Sequence, residues 1–150
     1  MQGHGEARSY RDPTSRTPSL GAYSRYPHPS QVRLARNQAH AGYCLVILRE
    51  HVTDMGHLTT DQLRGFWDDA ERAGRAIDSV YSPRKIDYLV MGHRMPHLHA
   101  HVFPQHSHDD PKRDVDIADG PVLPSADDLR GGVHALRRAW SAIATGPAER

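Results

Sequence analysis

The longest regular hydrophobic pattern in the chain predicts a helix that begins after Thr59 and ends before Pro83. Thr59 and Gln62 have the spacing of a capping box, in which each side chain bonds the backbone N–H of the other residue. Pro83 ends the pattern because proline disfavours helical geometry in the residue before it. Between these limits apolar residues recur at steps of three and four, as expected for one buried helix face: Leu63, Phe66, Trp67, Ala70, Ala73, Ile77 and Val80.

Shorter apolar segments predict strands. Residues 42–48 (GYCLVIL) form a continuous apolar run, and two further segments rich in strand formers, 85–91 (KIDYLVM) and 97–103 (HLHAHVF), follow the helix. We expect at least one more strand before Gly42.

A second helix is predicted over residues 125–145, near the end of the chain. Ser125 and Asp128 suit its first turn, and an apolar face follows them: Leu129, Val133, Leu136, Trp140 and Ile143. Strands combined with only two helices predict a small α+β domain with a mainly antiparallel sheet.

The remaining segments set the domain organisation. Residues 1–30 hold four of the eleven prolines and show no apolar periodicity, so we predict a flexible N-terminal arm. Residues 31–150 then form a single domain. Within it, residues 104–124 contain five aspartates and little pattern, which predicts a long loop.

Composition excludes several classes of protein. Nineteen basic and eighteen acidic residues leave a formal charge of +1, which gives no strong field for a nucleic-acid polymer or a membrane surface. The single cysteine excludes an intramolecular disulfide and favours a reducing compartment. No apolar run reaches about 18 residues, so no transmembrane helix is expected. These features predict a cytoplasmic protein.

Histidine is the unusual component, with twelve residues in all and six of them between His93 and His108. Because side chains alternate along a strand, His97, His99 and His101 would share one face of the sheet, roughly 6 to 7 Å apart. The intervening side chains would face the core: Leu98, Ala100 and Val102.

Three interpretations of this histidine strand are open. It could be a solvated strand face, or a zinc site, because two histidines at i and i+2 can reach one ion and His106 or His108 could assist. The third is a nucleophilic or acid–base site, since neutral imidazole is abundant at pH 7 and attacks phosphorus.

The sequence HLHAHVF resembles the signature of the histidine-triad (HIT) family of nucleotide hydrolases and nucleotidyl transferases. Gly92 and Pro96 before the triad and Pro104 after it fit the pattern of the bacterial branch that includes the diadenosine polyphosphate hydrolases. Upstream segments are similar too: Asn37-Gln38, Gly42-Tyr43-Cys44 and Arg49-Glu50-His51-Val52. The resemblance implies a HIT-like fold of about five strands and two helices, and a homodimer that extends the sheet.

The resemblance also implies roles for individual residues. The middle histidine, His99, would attack the α-phosphorus of a nucleotide and form a nucleotidyl-histidine. His101 would bond phosphate oxygens or the leaving group, and His97 would orient its neighbours. His51 matches an additional histidine beside the triad, and Asn37 stands where a ribose contact is expected. The scheme requires no cofactor and no metal.

Two positions depart from the family pattern on the substrate side. His93 stands where an amide side chain usually helps to hold the phosphate, and Gln105 stands where arginine often follows the proline. A histidine can still donate to a phosphate, but with a pH dependence that an amide lacks. Tyr43 and Cys44 are interpreted as packing residues.

The predicted function is therefore hydrolysis of a small nucleotide substrate: a dinucleoside polyphosphate, a nucleoside phosphoramidate or an adenylated small molecule. One alternative is a nucleotidyl transferase or phosphorylase that uses an acceptor other than water. Another is a nucleotide-binding or metal-binding module without turnover.

Overall fold

The computed structural model describes residues 29–113 and 121–143. They form four strands, two α-helices and one short 3₁₀ turn. In chain order these are β1 (Ser30–Leu34), β2 (Cys44–Leu48), the turn Met55–His57, α1 (Thr60–Tyr81), β3 (Lys85–Leu89), β4 (His99–Gln105) and α2 (Ala126–Ala142). The fold is the α+β class that the sequence predicts.

All strand pairs are antiparallel, and the strand order is β1-β2-β4-β3. The described residues thus contribute four strands, compared with the expectation of about five. β4 lies inside the sheet, so both of its backbone edges are paired. Its histidines lie opposite β2, with His101 facing Leu45 and His99 facing Ile47 in the register.

Both helices begin as their sequences predict. The Thr59 side chain accepts a hydrogen bond from the Gln62 N–H, and the Gln62 side chain accepts one from the Thr59 N–H, which completes the capping box. Ser82 ends α1 in the left-handed conformation with φ of 46°. At α2, the Ser125 hydroxyl accepts from the Asp128 N–H.

The helices pack on one face of the sheet and form the main core with it. Along β4 the inward-facing residues are Ala100 and Val102, and Leu98 just before the strand joins the same core. A smaller buried cluster lies on the opposite face of the sheet: Ala35, Tyr43, Leu45 and Phe103. Strand alternation places the β4 histidines on this second face.

Several boundaries differ from the predictions. The histidine strand runs over 99–105 instead of 97–103, so His97 precedes it. Pro104 lies within β4 opposite Ile86, and the predicted loop therefore starts after Gln105.

The predicted arm and the predicted second helix extend past the described ranges. Residues 1–28 of the arm lie outside them, and Ser30 already belongs to β1. Residues 114–120 of the predicted loop also lie outside the described ranges. α2 ends at Ala142. Positions 144 and 145 of its predicted span lie outside the described ranges.

Candidate active site

His99 and His101 form the centre of the site. They are two residues apart on β4, and their ring centroids are 4.9 Å apart with an interplanar angle of 70°. Their exposed fractions are only 5% and 6%. Because β4 is paired on both sides, its backbone cannot shift easily, and the two rings are held in a fixed relation.

The contacts of His99 determine its tautomer. Its Nδ1 lies 2.8 Å from the carbonyl oxygen of His97. A carbonyl can only accept a hydrogen bond, so Nδ1 must carry the proton. In the neutral ring Nε2 then keeps its lone pair. Such a nitrogen is a potential nucleophile toward phosphorus.

His101 bonds a different partner and has a strongly lowered pKa. Its Nδ1 lies 2.6 Å from the Tyr43 hydroxyl oxygen. Burial, with a smaller contribution from the neighbouring His99, lowers the pKa of His101 to about 4. His101 is therefore a neutral imidazole at pH 7. A neutral ring offers one N–H donor without adding a charge to the site.

His97 and His51 form a second histidine pair beside the first. The His97 Nε2 lies 2.6 Å from the carbonyl oxygen of Leu48, to which it must donate. Its Nδ1 lies 3.1 Å from Nδ1 of His51, whose side chain is exposed. The structure thus brings His51 to the triad through His97, while the His97 carbonyl holds His99.

Asn37 is tied to the protein's own backbone. Its side-chain oxygen accepts hydrogen bonds from the N–H groups of Ala39, at 3.0 Å, and Val122, at 2.9 Å. These bonds connect the β1–β2 turn with the segment before α2. The ribose contact expected for Asn37 stays a prediction.

The two substrate-side departures lie at either end of the histidine segment. His93 is exposed in the irregular connection between β3 and β4. Gln105 is the last residue of β4, and strand alternation places its side chain on the face that carries His99 and His101. Contact of either side chain with a substrate stays a prediction.

Tyr43 is the site residue that the sequence analysis missed, because its apolar run suggested packing. It is buried on the second face of the sheet, and its ring centroid lies 5.0 Å from that of Phe103. The available signal was alternation along β2, since residue 43 shares a face with residues 45 and 47. The register then brings that face beside the β4 histidines.

A second unpredicted cluster anchors the chain that follows β4. The Asp109 carboxylate accepts from the His106 N–H at 2.6 Å and lies 3.2 Å from Nδ1 of His40. Burial alone would raise the pKa of Asp109, but the His106 N–H bond and the rings of His40 and His108 lower it. The His106 ring also lies 2.9 Å from the Ala41 carbonyl oxygen, to which its Nε2 donates. These contacts hold the segment after β4 against the β1–β2 turn.

The described residues carry neither a metal-binding cluster nor a membrane-spanning helix. Within residues 29–113 and 121–143, no group of three or more histidine, cysteine, aspartate or glutamate side chains is arranged to hold a metal ion. No helix in the described part of the chain is long and apolar enough to cross a membrane.

Comparison with known families identifies the class of protein that this fold and histidine strand define. The HIT domain family matches residues 29–108, which is more than half of the chain. The chain belongs to the HIT domain family. Membership supports nucleotide binding and hydrolase or transferase activity in general.

Solved structures show the same fold. The chain is similar to a histidine triad protein from Bradyrhizobium japonicum, with a TM-score of 0.69, 21% identity and coverage of 82% of this chain and 90% of that one. It is similar to a histidine triad protein from Marinobacter aquaeolei VT8, with a TM-score of 0.70, 16% identity and coverage of 85% and 91%. A Zn-bound histidine triad family protein from Mycobacterium smegmatis matches with a TM-score of 0.57, 19% identity and coverage of 83% and 85%. Comparison with curated proteins gives no match.

Proposed function

We propose that this protein is a nucleotide hydrolase that cleaves its substrate at the α-phosphorus through a nucleotidyl-histidine on His99. The substrate is a dinucleoside polyphosphate, a nucleoside phosphoramidate or an adenylated small molecule, as in the hydrolase branch of the family. The observation that carries the proposal is the bond between His99 Nδ1 and the His97 carbonyl oxygen, at 2.8 Å. This bond leaves the Nε2 lone pair available for attack.

The same bond supports the covalent intermediate. When Nε2 attacks, an N–P bond forms and the bond to the leaving group breaks with its electron pair. The His99 ring then bears a positive charge, with a proton on Nδ1 and phosphorus on Nε2. Because a hydrogen bond from a charged donor is about twice as strong as a neutral one, the His97 carbonyl stabilises this state.

Hydrolysis of the intermediate regenerates the enzyme. Water attacks phosphorus, the N–P bond breaks with its electron pair returning to Nε2, and the water proton leaves with the product or to solvent. The nucleoside monophosphate is released and His99 is neutral again. His101 serves as an uncharged N–H donor to phosphate oxygens or to the leaving group, which its low pKa permits at neutral pH.

Four residues around the triad supply the remaining substrate contacts in this proposal: His51, His93, Gln105 and Asn37. His51 lies beside His97 and is exposed, so it can meet a phosphate while it remains in contact with the triad. His93 would donate to the phosphate, Gln105 would contact the substrate, and Asn37 would contact the ribose. Because His93 and Gln105 depart from the family pattern, all three substrate classes are retained.

The test is a His99→Asn variant assayed on a panel of the three substrate classes, with monophosphate release followed by chromatography. We expect kcat to fall by about a thousandfold or more, because the nucleophile is removed while the fold is kept. The matched control is His134→Gln, an exposed histidine on α2, which should retain full activity. Undiminished turnover by His99→Asn would refute the proposal. The panel is repeated with added inorganic phosphate. Incorporation of that phosphate into the nucleotide product, in place of water, would assign the chain to the transferase or phosphorylase alternative.

The proposal includes a homodimer. It is supported by the edge position of β3 in the sheet and by exposed apolar residues on or after that strand, since such surfaces are often covered in assemblies: Tyr88, Val90 and Met91. Light scattering after size exclusion should give the mass of two chains. The mass of one chain at micromolar concentration would contradict this part.

A further inference from the structure

The contact between Tyr43, the residue just before β2, and His101 on β4 lies on the histidine face of the sheet. The Tyr43 hydroxyl oxygen lies 2.6 Å from Nδ1 of His101, both residues are buried, and the rings lie nearly parallel with centroids 6.0 Å apart. Either group could be the donor. Basicity distinguishes them, because a neutral imidazole nitrogen is a far stronger base than a phenol oxygen, so the phenol O–H donates to the ring nitrogen. Tyr43 is therefore the donor, and Nδ1 accepts.

We propose that Tyr43 is a positioning residue that fixes His101 as the Nε2–H tautomer, so that His101 presents an N–H donor beside the lone pair of His99. The inference rests on the proposed function for its consequence in catalysis. A ring that accepts at Nδ1 must carry its single neutral proton on Nε2. The neighbouring rings thus hold opposite tautomers, because His99 donates from Nδ1 to the His97 carbonyl.

The surroundings of Tyr43 suit this role. Its backbone is held at both ends, with its N–H donating to the His40 carbonyl at 3.0 Å and its carbonyl accepting from the Ala35 N–H at 2.9 Å. Its ring packs on Phe103. A side chain restrained in this way loses little further freedom when its hydroxyl bonds to His101, so the bond can hold one tautomer.

Fixing the tautomer matters because the two forms present different edges to a substrate. The Nε2–H form can donate to an oxygen that gains charge as phosphorus is attacked. The Nδ1–H form presents a lone pair there, which repels that oxygen. Loss of the Tyr43 hydroxyl should therefore reduce the rate of the chemical step and leave substrate binding nearly unchanged.

The experiment compares the full-length wild-type chain with Tyr43→Phe, which keeps the aromatic ring. Nitrogen-15 NMR of the histidine rings identifies which nitrogen of His101 is protonated. We expect a protonated Nε2 in the wild type and a mixed or reversed tautomer in the variant. We expect kcat to fall about tenfold, as for the loss of one buried hydrogen bond, with KM changed less than about twofold. The control is Tyr81→Phe, a tyrosine at the end of α1 that packs against the main core on the other face of the sheet, which should match the wild type in both measurements.

The two readouts separate the inference from the proposed function. A protonated Nδ1 in the wild type would overturn the assignment without any variant, and so would an unchanged tautomer in Tyr43→Phe. A changed tautomer with unchanged kcat would overturn the positioning role. If no nucleotide were hydrolysed at all, the proposed function would fail, while the NMR comparison would still decide the part of Tyr43.

Discussion

The low pKa of His101 makes the stability of the protein depend on pH in a predictable way. Burial lowers this pKa from the ordinary 6.5 to about 4 in the folded chain. Between these values the unfolded chain binds a proton that the folded chain does not. The His101 ring therefore leaves the free energy of unfolding nearly unchanged above about pH 6.5 and lowers it as the pH falls toward 4. At about 1.4 kcal/mol per pH unit, the full difference is about 3.5 kcal/mol.

The assay is urea unfolding at a series of pH values from 7.5 to 4.5 for the wild type and for His101→Gln. Subtracting the unfolding free energy of the variant from that of the wild type cancels the contribution of the titrating groups that both proteins share. Over this range we expect the wild type to lose about 2.5 kcal/mol relative to the variant, which lacks the titrating ring. A difference that stays constant within about 0.5 kcal/mol, or one that moves in the opposite direction, would refute the reasoning.

Three further predictions concern the framework around the site. Gly42→Ala should destabilise the protein by roughly 1–3 kcal/mol in urea unfolding, because residue 42 has φ of +95° and an added Cβ would lie 2.7 Å from the Tyr81 ring; unchanged stability would contradict this. Thr59→Ala should cost about 1 kcal/mol, by the same measurement, since it removes the bond to the Gln62 N–H. The Cys44 thiol, whose pKa burial raises, should react with Ellman's reagent only after unfolding, and rapid labelling of the native protein would show that it is accessible.

The sequence predicts those elements whose structure depends on residues close together in the chain. The capping box at Thr59 and the stripe that follows it define the start and the face of α1, because both depend on residues within a few turns. Alternation along β4 separates the histidines from Ala100 and Val102 in the same way. The strand itself extends two residues further than predicted because Pro104 is accommodated within it, opposite Ile86.

The contacts that complete the site are not local, and the sequence did not predict them. Tyr43 and His101 are 58 residues apart, and only the pairing register of β2 with β4 brings them together. His40 and Asp109 are 69 residues apart and meet where the chain after β4 folds back on the β1–β2 turn. Such pairs depend on tertiary packing, so the sequence pattern does not show which two residues meet.

The most direct test of the central claim is to isolate the covalent intermediate. The wild-type chain, mixed with a hydrolysed substrate and quenched at alkaline pH to preserve the P–N bond, is digested and analysed by mass spectrometry. The account predicts that the peptide containing His99 gains the mass of one nucleoside monophosphate less water, and that His99→Asn gives no such adduct. A nucleotide attached to any other residue, or full hydrolysis by His99→Asn, would contradict it.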